Sequence, residues 1–167
     1  LRFSRRDSLA IAARSVGEVA STFTFLTALK HMPLANLSAI MQALPLLVTL
    51  GAALFFGERI GWRRLLAILV GFVGVLLIIR PGTEGFDRWA VLGVISVLFV
   101  VLRDLATRRL SAAVPSISVA FCAAVSVAIS AALVVPASGW KAPDLTDLAL
   151  IAGAATCLIA GYLTSVM

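Results

Sequence analysis

The sequence predicts an all-α, polytopic membrane protein, a transmembrane helix bundle of about six spans. Three observations carry this. Hydrophobic residues make up 61% of the 167 positions, and the mean hydropathy is +1.07. Charged residues are 13%, about half the ~25% typical of soluble domains. The apolar residues also fall in long runs separated by short polar, basic or Pro/Gly segments. A soluble fold would leave much of that surface in water, whereas lipid tails solvate an apolar helix all round.

The first span runs from about Ser8 to Leu29, after the basic residues Arg2, Arg5 and Arg6. Lys30 to Pro33 turns the chain. The second span covers about Leu34 to Phe56. Pro45 lies in its middle, where a missing N–H should bend the helix or free a carbonyl. The polar loop Gly57–Arg64 follows. The third span, Leu65 to Ile79, is short, with Arg64 and Arg80 placed to snorkel at its ends. Arg80-Pro81-Gly82-Thr83-Glu84-Gly85 stops it. The fourth span is about Trp89 to Ala106, closed by Arg108 and Arg109. Val114-Pro115-Ser116 opens the fifth, where Pro115 suits a helix start, and this span reaches about Val135. Pro136 to Thr146 is a polar loop with Trp140 as an interfacial anchor. The sixth span starts near Asp147 and is still apolar at Met167.

The formal charge is +6 and the pI about 10.7. The basic residues cluster between apolar runs, without the interleaved aromatics of a single-strand binder. The partner they imply is the lipid bilayer and not nucleic acid. Loops alternate across the membrane. One side holds Arg2, Arg5, Arg6, Arg59, Arg63, Arg64, Arg103, Arg108 and Arg109; the other holds Lys30, Arg80, Arg88 and Lys141. Nine against four, with Arg14 set aside inside the first span, places the first side and the visible N-terminus in the cytoplasm. The chain begins at Leu1 and ends inside an apolar run, as expected of an internal fragment whose flanking helices in the same protein are its partners. An even number of spans should precede it if the full protein also starts in the cytoplasm. A homodimer is a further candidate assembly.

Cys122 and Cys157 both fall inside apolar runs and read as small packing residues. His31 sits at a helix end without a second ligand, so no metal site is expected. Phosphate loops and catalytic triads are absent, and the short loops leave no room for a soluble catalytic domain. No cofactor and no catalytic residue are expected.

Several segments occur in a telling order. Ala28-Leu29-Lys30-His31-Met32-Pro33-Leu34-Ala35 joins the first two spans, and Pro45 follows mid-helix. Leu54-Phe55-Phe56-Gly57-Glu58-Arg59 closes the second span. Gly71-Phe72-Val73-Gly74 leads to Arg80-Pro81-Gly82 at the end of the third. Over Arg14 to Gly82 this order resembles the EamA-type repeat of the drug/metabolite transporter superfamily. The resemblance implies ten helices in two five-helix repeats of inverted topology, of which this chain would hold helices three to eight. Residues 1–82 would finish the first repeat and residues 83–167 begin the second. Arg103-Asp104-Leu105-Ala106-Thr107-Arg108-Arg109-Leu110 resembles the basic end of helix six. Phe25-Leu26-Thr27-Ala28-Leu29 is faintly echoed by Tyr162-Leu163-Thr164-Ser165-Val166.

Ionisable groups inside a span cost about 2.5–3.5 kcal/mol each on insertion scales. Arg14 and Glu18 are four apart and share a helix face with Ser21, Thr22 and Phe25. One reading puts Glu18 and Thr22 on the wall of a substrate cavity. The other makes Arg14–Glu18 a structural pair near the cytoplasmic end. Gln42 shares a face with Ser38, Pro45 and Thr49; a hydrogen bond to substrate and an interhelical bond both fit it. Tyr162 fits a cavity wall or an interhelical hydrogen bond. Glu58 and Arg59 read as a helix-end ion pair with Arg63 or Arg64. Arg103 and Asp104 read as structural, and Gly71 and Gly74 as a small-residue contact face. The function implied is secondary transport of small metabolites or drugs across a bacterial cytoplasmic membrane, by alternating access. The alternative is a membrane-embedded enzyme or a non-transporting membrane subunit.

Overall fold

A computed structural model describes residues 4–79, 88–111, 114–134 and 143–166, with side chains of residues 78–79 and 158–166 left aside. All regular elements among them are helices: α1 (Arg5–Leu29), α2 (Leu34–Met41), α3 (Leu44–Phe56), α4 (Trp62–Ile79), α5 (Arg88–Arg108), α6 (Ser116–Val134) and α7 (Leu145–Val166). Four stretches are long and apolar enough to cross a bilayer: Arg5–Leu29, Leu34–Phe56, Arg88–Arg108 and Ser116–Val134. α4 has 18 residues, about 27 Å at 1.5 Å per residue, close to a hydrocarbon core of ~30 Å.

The second expected span is two helices. α2 ends at Met41 and α3 starts at Leu44. Pro45 has no N–H for the Met41 carbonyl, and its ring opposes a continuous turn. The last turn of α2 tightens instead, with the Ala43 N–H donating to Ile40 O at 3.0 Å. Pro45 then sits in the first turn of α3, where a missing donor is tolerated. α3 stops at Gly57, whose φ of 68° is the left-handed geometry that glycine adopts without a Cβ penalty. The third span starts at Trp62, three residues before the expected Leu65. Gly61 O accepts the N–H groups of Arg64 and Leu65, so Arg63 and Arg64 lie inside the first turn.

The chain divides into two units, residues 1–130 and 131–167. In the first, α5 is the central helix, packed by α1, α2 and α3, while α4 packs on α2 and α3. The core gathers Ile40, Ala52, Ala90, Val97, Val101 and Leu105. Large apolar side chains such as Leu54, Val70, Leu77 and Ile117 point outward instead, as a lipid-facing surface allows. Between helices in lipid, close packing does the holding. A Cβ on Gly17 would lie 3.0 Å from Phe99 O and 3.2 Å from Arg103 N, so only glycine lets α1 approach the α5 backbone this closely. Gly71 makes the same allowance for Leu46. Gly74 has nothing within 4 Å, so the contact face expected of Gly71 and Gly74 rests on Gly71 among the described residues.

Arg103, counted above with the first side, lies within α5 and pairs with Glu18, so it is not an end charge; the ends of this unit carry other polar contacts. At one end, the Asp7 carboxylate accepts the Ser111 N–H at 3.1 Å, and Glu58 pairs with Arg108 at 3.6 Å. Here the structure corrects the expected partner of Glu58, which is Arg108 on α5 and not Arg63 or Arg64. Arg63 lies over Trp62 at 5.7 Å instead, and the turn at Gly57 leaves Glu58 beside the end of α5. Arg59 is exposed. At the other end, His31 stacks on Trp89 with ring centroids 3.6 Å apart, and Arg88 lies 4.7 Å from the same indole.

In the second unit, α7 opens with a reciprocal cap. Asp144 accepts the Leu145 N–H at 2.7 Å, and Asp147 accepts the Asp144 N–H at 3.2 Å. Two orphan donors of the helix start are thereby satisfied.

Candidate functional site

The charges inside the spans converge on one place. Arg14 and Glu18 face the same way on α1 because four residues is about one turn. Arg14 Nη1 donates to Glu18 Oε2 at 3.3 Å. From α5, Arg103 Nη1 donates to Glu18 Oε1 at 3.2 Å, and Arg103 Nε donates to Asp104 Oδ1 at 3.0 Å. Both Glu18 oxygens are engaged. The quartet of Arg14, Glu18, Arg103 and Asp104 sums to zero charge, which is how ionised groups persist at membrane depth. One donor is left over: Arg14 Nε is buried without a hydrogen-bond partner.

The contacts along α1 and α5 locate the Arg14–Glu18 pair. α1 and α5 run antiparallel, since Asp7 meets Ser111 and Glu18 meets Arg103. Glu18 lies eleven residues beyond Asp7 and Arg103 eight before Ser111, about 12–16 Å in from that end. The pair is therefore within the helices and not at their ends. Sequence spacing finds Arg14–Glu18 but cannot find Arg103, which is 85 residues away.

A cavity of about 250 Å³ opens against this quartet, lined by Glu18, Ser21, Thr22, Phe25, Leu26, Met41, Ser96, Val100 and Arg103. Glu18 and Thr22 therefore line one cavity. The Ser21 and Thr22 hydroxyls donate to Glu18 O at 2.9 and 2.7 Å, so they present acceptor lone pairs to the cavity. Gln42 is exposed and is not on this wall; its neighbour Met41 is. Tyr162 lies on α7, and its side chain is outside the described residues. Among the described residues no three His, Cys, Asp or Glu side chains gather as a metal would require.

The amino-acid sequence is similar to known proteins. The model of the EamA-like transporter family matches residues 2–80. Residues 2–80 belong to that family. It is 32% identical over 139 residues to the riboflavin transporter of Rhizobium johnstonii, covering 83% of this chain and 44% of that protein. It is 28% identical over 121 residues to the S-adenosylmethionine uptake transporter of Rickettsia bellii, covering 71% and 40%. It is 33% identical over 110 residues to the pseudopaline exporter of Pseudomonas aeruginosa, covering 65% and 39%. The chain thus spans less than half the length of these relatives. No solved structure matches it. An integral membrane protein of a transporter family is what the apolar helices and these relatives establish together.

Proposed function

We propose that this chain is the central part of a secondary transporter that moves small metabolites or drugs across a bacterial cytoplasmic membrane by alternating access. The carrying observation is the Glu18–Arg103 pair on the cavity wall between α1 and α5. A membrane protein that needed only adhesion between these helices would avoid the ~2.5–3.5 kcal/mol cost of each buried charge. A carboxylate and a guanidinium presented side by side suit a small solute carrying both signs of charge. Such a solute replaces each partner in turn, and the helices then separate without stranding a charge.

On this reading residues 1–82 supply the last three helices of one repeat and residues 83–167 the first three of its inverted counterpart. The antiparallel contact of α1 with α5 would be the seam around which the repeats rock. The arginine-rich end, with the start of α1, faces the cytoplasm. The relatives are named for both uptake and export, so membership alone sets no direction.

The test is solute flux into liposomes carrying the full-length protein, compared with Glu18→Gln at matched incorporation. Flux abolished or reduced at least tenfold in the variant is expected. Unchanged flux would remove Glu18 from the mechanism. Absence of flux for every solute, together with turnover of a lipid, would favour a membrane-embedded enzyme.

A further inference from the structure

A second and larger cavity, about 710 Å³, opens at the arginine-bearing end of the first unit, between α1, α3 and α5. It has no part in the Glu18 site, whose lining residues are all different. Its volume falls within the ~300–1,000 Å³ of small-molecule sites. Its floor is buried and apolar: Ala10, Leu105 and Ala106. Its rim is apolar and open, with Leu9 72% and Phe55 66% exposed, which suits acyl chains and not water. Among the described residues, two charged side chains line it, Arg6 and Arg109.

Those two arginines differ from their neighbour. Arg108 is paired with Glu58. Arg6 and Arg109 have no acidic partner among the described residues, and the acids at this end are committed: Asp7 to the Ser111 N–H and Glu58 to Arg108. Arg109 instead lies over the Phe56 ring at 5.4 Å, which holds its guanidinium at the edge of the groove. From Arg6 to Ala13 the groove follows α1 for about 10 Å.

We propose that this groove binds one anionic phospholipid, its phosphodiester held by Arg6 and Arg109 and its acyl chain laid along Leu9, Ala13, Phe55 and Leu102. Two unpaired cations above an apolar trough complement that molecule in both charge and polarity. Guanidinium groups match phosphate oxygens in geometry, and basic pockets between transmembrane helices are a recurrent mode of lipid recognition.

Native mass spectrometry of the full-length protein, titrated with phosphatidylglycerol or phosphatidylcholine of matched chains, tests this. Phosphatidylglycerol should bind preferentially. The double variant Arg6→Gln, Arg109→Gln should weaken it by about 30-fold, from about fivefold per arginine. Arg108→Gln should leave it unchanged and serves as the folding control. Ala13→Trp, which fills the trough and spares both arginines, should also displace the lipid. Equal binding of the two lipids, or full retention by the double variant, would overturn the proposal. So would displacement by inorganic phosphate, which would make this a site for a soluble anion. So would protection of Ala13→Cys from a thiol reagent in delipidated protein lacking Cys122 and Cys157, since another helix or a second copy would then fill the groove.

Discussion

Removing Glu18 should destabilise the protein more when done alone than together with Arg103. Glu18→Gln leaves Arg14, Arg103 and Asp104, a net charge of +1 at membrane depth. Arg103→Gln leaves Arg14, Glu18 and Asp104, a net charge of −1. The double variant leaves Arg14 and Asp104 and is neutral again. At 3.2 Å the Arg103–Glu18 attraction is about 5 kcal/mol with an effective dielectric of 20. Desolvation opposes it, and breaking a fully buried pair costs about 3–5 kcal/mol. Glu18 and Arg103 are 25% and 28% exposed, so about 2–3 kcal/mol for each single variant is the discounted expectation. The double variant should cost about 1–2 kcal/mol, less than either single, giving a coupling of about 3 kcal/mol. Thermal unfolding of the full-length protein in detergent reads this as a drop of about 5–10 °C for either single. Simple additivity, with the double variant lowered by the sum, would refute the coupling. Flux separates stability from transport, because the double variant should regain much of its stability while remaining inactive.

Three further outcomes follow from the packing. Gly17→Ala should cost about 1–3 kcal/mol because its Cβ meets backbone atoms that cannot rotate aside; Gly74→Ala, facing open space, should be neutral or stabilising by up to ~1 kcal/mol, and equal effects in unfolding scans would contradict the α1–α5 contact. Asp7→Asn should lose about 1 kcal/mol by turning a charge-assisted bond to the Ser111 N–H into a neutral one, seen as faster exchange of that amide. Gly57→Ala should cost about 1–2 kcal/mol at its left-handed φ, and an unfolding midpoint unmoved by the change would argue against that turn.

How far the sequence speaks depends on the range of the interaction. Hydropathy places the spans to within a few residues, because each run is a local property. Pro45 signals a disturbance of the second span, because its missing N–H acts on the residue four before it, but the sequence reads as one bent span where the structure has two helices. Arg14 and Glu18 are legible for the same reason. What the sequence does not display are partners brought together by tertiary packing. Nothing in the spacing ties Glu18 to Arg103, or Glu58 to Arg108 in preference to Arg63. Gly17 looks like any small residue until Phe99 O is found 3.0 Å from where its Cβ would be. Arg6 and Arg109 were visible as end charges, but only the fold sets them over one apolar trough.

The break in the second span changes what that span can transmit. A continuous helix carries a twist along its length through its hydrogen bonds. Here the two pieces hold α5 at separate points: Leu37 and Ile40 of α2 against Gly93, and Gly51 of α3 against Leu105. Met41, at the joint, borders the Glu18 cavity. The span therefore grips α5 twice, through two pieces that no continuous ladder of backbone hydrogen bonds joins.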